Sequence, residues 1–177
     1  GLEPLAEFIK SLNDRNAKPT SLEAESAKYI SEEKQVKTAE EALKGASDIL
    51  AEEVAEKAEL RAYLREYFLE EGVFISRIRD EHPEGSTKFE MYRNYQIAVR
   101  NIAPHNMLAL LRGETEGILD LDLAFDDSFV LSYLESQNIK TKIPQVKEFY
   151  QQMLKDAFNR LMKTSLITEV RTENKAY

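Results

Sequence analysis

Six cations, Arg77, Arg79, Lys88, Arg93, Arg100 and Arg112, are interleaved with Phe89, Tyr92 and Tyr95 in the middle of the chain. Cations that neutralise phosphate beside rings that stack on bases are what single-stranded nucleic acid needs. From this stretch, Arg93, Arg100, His105 and Arg112 are taken as the candidate nucleic-acid-contacting residues. Aromatic residues at helical spacing more often fill a core, and core is the preferred reading of these three rings. His105 sits where a helix begins. A helix N-terminus disfavours the imidazolium form, and the other histidine, His82, offers no ligand spacing, so His105 is read as structural rather than as a base or metal ligand. Asp120, Asp122, Asp126 and Asp127 are the densest acidic cluster and suggest a divalent cation. Strand alternation and helix capping explain them more simply. Arg112-Gly113 and Gly117 do not make a phosphate loop, because those fingerprints run strand into helix and the order here is helix into strand. No nucleophile–base–acid set is visible, and neither a cofactor nor a bound metal is expected.

The elements that would position these residues follow from periodicity. Leu5, Phe8, Ile9 and Leu12 predict a first helix. Thr20 or Ser21 caps a short one with Leu22, Ala27 and Ile30. A long helix is expected from Val36, with Ala39, Leu43, Ala46, Leu50 and Val54 on one stripe and Ala42 and Ile49 widening it. A junction falls at Glu56–Ala58. A further helix carries Leu60, Leu64, Tyr67 and Phe68 and stops at Gly72. Val73–Ile78 reads as a strand, Asp80–Thr87 as a turn-rich, mobile loop, and Lys88–Tyr95 as a short helix. Pro104 opens a helix with Met107, Leu108 and Leu111 on its apolar face, and a turn at Arg112-Gly113 leads into a strand at Ile118–Phe125. Asp127 or Ser128 caps a helix with Phe129, Leu131, Tyr133 and Leu134. Pro144 opens another, carrying Val146, Phe149, Tyr150, Met153, Leu154, Phe158 and Leu161. A last helix spans Ser165–Ala176. The fold class expected is mainly α, a multi-helix domain with a small two-stranded β element. It is read as one region over 1–177, with a sub-boundary near 72–88.

Composition narrows the function classes. The chain has 177 residues, no cysteine, and a net charge of −8 from 24 Lys+Arg and 32 Asp+Glu. Absent cysteine removes disulfides, thiolate nucleophiles and cysteine-ligated metals. No apolar run approaches the ~20 residues of a membrane span, and a cytoplasmic protein is expected. An acidic chain is a poor sequence-independent binder of nucleic acid, whose affinity comes largely from phosphate neutralisation. Residues 1–72 carry 10 basic and 17 acidic side chains, residues 73–113 carry 6 and 4, and residues 114–177 carry 8 and 11, so only the middle is basic.

The stretch Ile102–Leu119 resembles the Tex family of bacterial transcription-accessory proteins. The family shows a Pro-His-Arg step, then Leu-Ala, Arg-Gly-Glu, and Glu before an apolar strand. This chain has Pro104-His105, Leu108-Ala109, Arg112-Gly113-Glu114, and Glu116 before Ile118-Leu119. It departs at Asn106, where the family has arginine, so that arginine's contact is not carried over. The likeness extends to Gly1–Ala6, to Ala42-Leu43-Lys44-Gly45-Ala46 with Asp48–Glu52, to Leu64-Arg65-Glu66 through Gly72-Val73, to Lys88-Phe89 with Tyr92, and to Arg160-Leu161, Ser165 and Glu169-Val170-Arg171. It therefore covers essentially the whole chain.

The resemblance implies a central helical region of a longer protein. Such a protein has an N-terminal helical segment before it, and an RNase H-like domain, helix-hairpin-helix motifs and an RNA-binding OB-fold after it. Nucleic-acid binding in the family is ascribed chiefly to the OB-fold, so this piece is expected to be a scaffold without enzymatic activity. Its partners, RNA or DNA and the transcription machinery, would be met through the longer protein. Three rivals stand beside it: a direct nucleic-acid-binding module using the basic 73–113 region, a metal-dependent hydrolase centred on Asp120, Asp122 and His105, and a protein-docking module.

Overall fold

The computed structural model describes residues 1–175; Ala176 and Tyr177, where the last helix was expected to end, lie outside the described residues. In chain order the elements are α1 (Glu3–Leu12), α2 (Leu22–Ala27), α3 (Ala39–Ala55), α4 (Ala58–Glu71), β1 (Val73–Ile78), β2 (Asn94–Ala98), α5 (Pro104–Thr115), β3 (Leu119–Ala124), α6 (Asp127–Asn138), α7 (Pro144–Asp156) and α8 (Lys163–Lys175). A π-helical turn, Ala157–Met162, links α7 to α8, and short 3-10 turns lie at Glu90–Tyr92 and Val99–Asn101. Among the described residues no helix is long and apolar enough to cross a membrane.

The contacts gather into two compact units, and neither is continuous in sequence: the first comprises Gly1–Leu60 and Ser128–Lys163, the second Arg61–Asp127 and Thr164–Tyr177. In the first unit α3 is the central element. Thr38 caps it, its hydroxyl accepting the Glu41 N–H at 3.1 Å. Its buried face is Ala42, Ala46, Leu50 and Val54, a step of four that lets α1, α2, α7 and the π-helical turn pack closely along it. Val36, expected inside this helix, instead forms an isolated bridge with Ser31. Ser21 caps α2, accepting from Ala24 N–H at 3.1 Å. Ile30, expected on the apolar face there, is exposed.

In the second unit a sheet of order β2-β1-β3, antiparallel throughout, carries the β structure. It has three strands, not the two expected. The missed strand is β2, which occupies part of the stretch read as a helix over Lys88–Tyr95. Phe89 and Tyr92 are buried as expected, but through a single 3-10 turn before the chain extends. Exposed Asn94 and Gln96 alternate with half-buried Tyr95 and Ile97 along β2, a weaker contrast than in β3, where Leu119, Leu121 and Leu123 are buried around Asp120 and Asp122.

The turn expected at Arg112-Gly113 is displaced. Helix α5 runs on to Thr115, and the reversal falls at Gly117, whose φ of +78° lies in the left-handed region that glycine tolerates best. Gly113 is a packing residue inside the helix, since a Cβ there would overlap the buried Leu119 side chain. The buried face of α5 is accordingly Met107, Leu110 and Gly113. Leu108 is exposed and Leu111 half-buried.

Candidate nucleic-acid interface

All of the candidate residues fall in the second unit. Arg93 ends the 3-10 turn and is drawn into the loop before it. Its Nε and Nη2 donate to the two carboxylate oxygens of Glu90 at 2.9 and 3.0 Å, and Nη2 also donates to the Pro83 carbonyl at 3.0 Å. Glu90 in turn accepts from Gly85 N–H at 2.7 Å and from the Thr87 hydroxyl at 2.9 Å. The hydrogen bond from Arg93, followed by that from Gly85, holds the Glu90 carboxyl down at about 2. The loop expected to be a mobile tip is thus tied at its far side by one ion pair.

Arg100 lies in the 3-10 turn after β2. Its Nη1 donates to the Glu70 carbonyl at 2.6 Å, satisfying an acceptor in the last turn of α4. Arg77 and Asp120 are register partners across β1 and β3, and Asp120 takes both Arg77 at 3.3 Å and Arg79 at 3.0 Å. Lys88 pairs with Glu116 at 3.3 Å and lies 5.5 Å from the centre of the Phe89 ring. Of the four candidates, His105 and Arg112 share the exposed face of α5. Seven residues apart, they lie about 10 Å from each other along one face of α5, with exposed Leu108 between them. Arg93 and Arg100 are committed elsewhere.

Asn106, which stands where the resembling pattern has arginine, donates from its amide to the Tyr92 hydroxyl at 3.1 Å and ties α5 to the 3-10 turn. The acidic cluster gathers no cation site: among the described residues no three His, Cys, Asp or Glu side chains converge, and Asp120 is already held by two arginines.

The motif residues behind the resemblance find one another. Arg171 donates to both oxygens of Glu114, at 2.9 and 3.2 Å, and to the Leu121 carbonyl at 2.9 Å, joining α8 to α5 and β3. Its Nε is buried with no hydrogen-bond partner. Glu169 accepts from Arg61 at 3.4 Å and Arg65 at 3.5 Å, and Arg61 also reaches the Ser165 hydroxyl at 2.8 Å. The Leu-Arg-Glu, Arg-Gly-Glu and Glu-Val-Arg steps are therefore pairs that lock α4, α5 and α8 to the sheet.

This arrangement defines the class: a mainly helical protein whose small antiparallel sheet is knitted to its helices by arginine–carboxylate pairs. The model of the Tex central region-like family matches residues 14–176, and the chain belongs to that family. It is 34% identical over 174 residues to the uncharacterized protein YdcI of Bacillus subtilis, covering 98% of this chain and 24% of that protein. It is 35% identical over 126 residues to Protein tex of Bordetella pertussis, covering 71% of this chain and 15% of that one. To the transcriptional accessory protein Tex of Neisseria gonorrhoeae it is 32% identical over 141 residues, 78% of this chain and 18% of the relative. The chain thus spans a quarter or less of the length of these relatives.

Proposed function

We propose that this chain is a helical framework within a Tex-type transcription-accessory protein of the cytoplasm, holding nucleic-acid-binding domains outside it in register, and that it catalyses no reaction itself. The observation that carries this reading is the fate of the basic 73–113 region. Arg77, Arg79, Lys88 and Arg93 pair with carboxylates of the same unit, and Arg100 serves a helix-end carbonyl. A phosphate meeting one of these cations must displace a carboxylate worth at most about 1 kcal/mol and then lies beside that freed negative charge, which reduces the gain per contact. Membership of the Tex family and the name of the Neisseria relative support the transcriptional setting.

The direct-binding alternative keeps one observation in its favour, the shared exposed face of His105 and Arg112. Fluorescence anisotropy with single-stranded RNA and duplex DNA at ~50 and ~200 mM salt decides between the two, comparing the chain with Arg100→Gln/Arg112→Gln. A framework predicts affinities within about twofold of each other. A loss of roughly tenfold or more at low salt would make residues 73–113 the working surface and overturn the framework reading.

A further inference from the structure

The first unit carries a concentration of positive charge that the sequence disperses over three distant segments. A cleft of about 260 Å³ is bounded by the C-terminal turns of α1, α3 and α6 and by the middle of α7, and Lys10, Asn13, Lys57, Asn138, Lys140 and Tyr150 line it. A wider hollow of about 700 Å³ adds Arg15 and Lys142 and shares Lys10, Asn13 and Lys140. Asn13 builds the site. Its Oδ1 accepts from the backbone N–H of Lys140 at 2.7 Å and of Thr141 at 3.1 Å, and its Nδ2 donates to the Asn138 carbonyl at 2.6 Å. The segment carrying Lys140 and Lys142 is thereby clamped to the end of α1. Lys57 donates to Oδ1 of the buried Asn138 at 3.1 Å. Tyr150 lies buried against Asn13, and burial raises its hydroxyl above the ordinary tyrosine range, so it remains a neutral group.

The charge balance points outward. Lys10 is answered by Glu53 at 3.1 Å and Glu7 at 3.3 Å. Among the described residues, Arg15, Lys57, Lys140 and Lys142 stand in no ion pair, and the remaining lining carboxylate, Asp14, accepts the Asn16 N–H at 2.9 Å. Cations at helix C-termini often serve the terminal carbonyls. Here carbonyls at all three helix ends are already engaged: Lys10 O accepts from Asn13 N–H, Glu52 O from Glu56 N–H, Val54 O from Lys57 N–H and Glu135 O from Ile139 N–H. A lysine ammonium is a compact point charge with three donors, suited to a phosphate oxygen.

We propose that the cleft and the hollow, which share Lys10, Asn13 and Lys140, bind successive phosphate groups, with Lys57 in the cleft, Lys140 common to both, Lys142 in the hollow and Arg15 at its rim. The site goes beyond the framework reading and does not depend on it, since it lies outside residues 73–113.

The test uses three probes, pyrophosphate, a 12-nucleotide oligouridylate and poly-glutamate of matched charge, with the chain and its Lys140→Gln/Lys142→Gln variant. Both positions differ from core residues in that Lys140 and Lys142 are exposed, and far-UV circular dichroism checks that the variant is folded. Three neutralised phosphates on a single strand predict an affinity about 20-fold weaker at 200 than at 50 mM salt, falling to about threefold in the double variant. Oligouridylate binding with that slope supports the site and identifies a nucleic-acid backbone as the source of the phosphate. Pyrophosphate binding as tight as oligouridylate, lost in the variant, supports it with a small phosphorylated ligand. The proposal is overturned if neither phosphate probe binds at 50 mM salt, if poly-glutamate binds equally well, or if the double variant binds unchanged. Sensitivity to Arg100→Gln/Arg112→Gln instead would overturn the framework reading as well.

Discussion

Glu90 and Arg93 show how a single ion pair can order a loop. Arg93, one of the candidate phosphate contacts, pairs with a carboxylate that organises its own loop. The Glu90 carboxyl is held at about 2, below its unfolded value near 4.5, so its contribution is fully present above pH ~4.5 and is lost as pH falls toward 2. Glu90→Gln is therefore expected to be less stable than the parent chain at pH 6, with the gap closing as pH falls through that window, measured by urea unfolding. The Glu114–Arg171 pair is about as exposed, at 33% and 23% of the side chains. Replacing Glu114 with Gln leaves the guanidinium half-buried without its carboxylate and should cost about 1–2 kcal/mol in the same measurement. Asp120, with both its arginines more exposed, should tolerate Asn at a cost below about 1 kcal/mol, and millimolar Mg²⁺ should leave the Tm of either form unchanged.

At the scale of elements, the α5–β3 connection is the most constrained piece of the second unit. Alanine is the better helix former by about 1 kcal/mol, so Gly113→Ala would stabilise an isolated α5. In the folded unit its Cβ would meet Leu119 Cγ at 2.7 Å and Phe89 Cδ1 at 3.2 Å, and both of those residues are buried. The expected net effect is destabilisation by about 1–3 kcal/mol, read from the shift of the urea midpoint. A neutral or stabilising outcome would mean that Leu119 can withdraw from the helix. The strands tell a related story. β1 and β3 were legible from alternation and from their bounding glycines. β2 was not, because Phe89 and Tyr92 at helical spacing carried a helix reading over its first residues, and its short alternation, Tyr95 and Ile97 between Asn94 and Gln96, buries neither apolar residue fully.

For the whole molecule, the chain leaves the first unit after Leu60, returns at Ser128 and leaves again after Lys163. The consequence is that neither unit can be cut out as one segment. The α3 face of Ala42, Ala46, Leu50 and Val54 needs α7 and the π-helical turn from beyond residue 127 to cover it. A peptide spanning residues 1–60 is expected to lack cooperative thermal unfolding by circular dichroism, because short helices without their packing partners are marginal in water. A sharp transition for that peptide would show that α1 to α3 suffice on their own.

The amino-acid sequence by itself determined the mainly helical class and most helix starts. Proline at the first turn, Ser and Thr caps, and spacing of three or four are local signals that act within a few residues. It also carried the family, because motifs in the right order survive without knowledge of their contacts. What only the tertiary structure decided is which charges are free. Arg93, Arg100 and Arg77 look alike in sequence to Lys140 and Lys142, yet the former are engaged within the fold and the latter line an open cleft. The reason is physical: a side chain's availability depends on partners tens of residues away, which the order of the chain does not display. The same holds for Gly113, whose meaning as a packing residue rather than a turn residue rests on Leu119 closing over it.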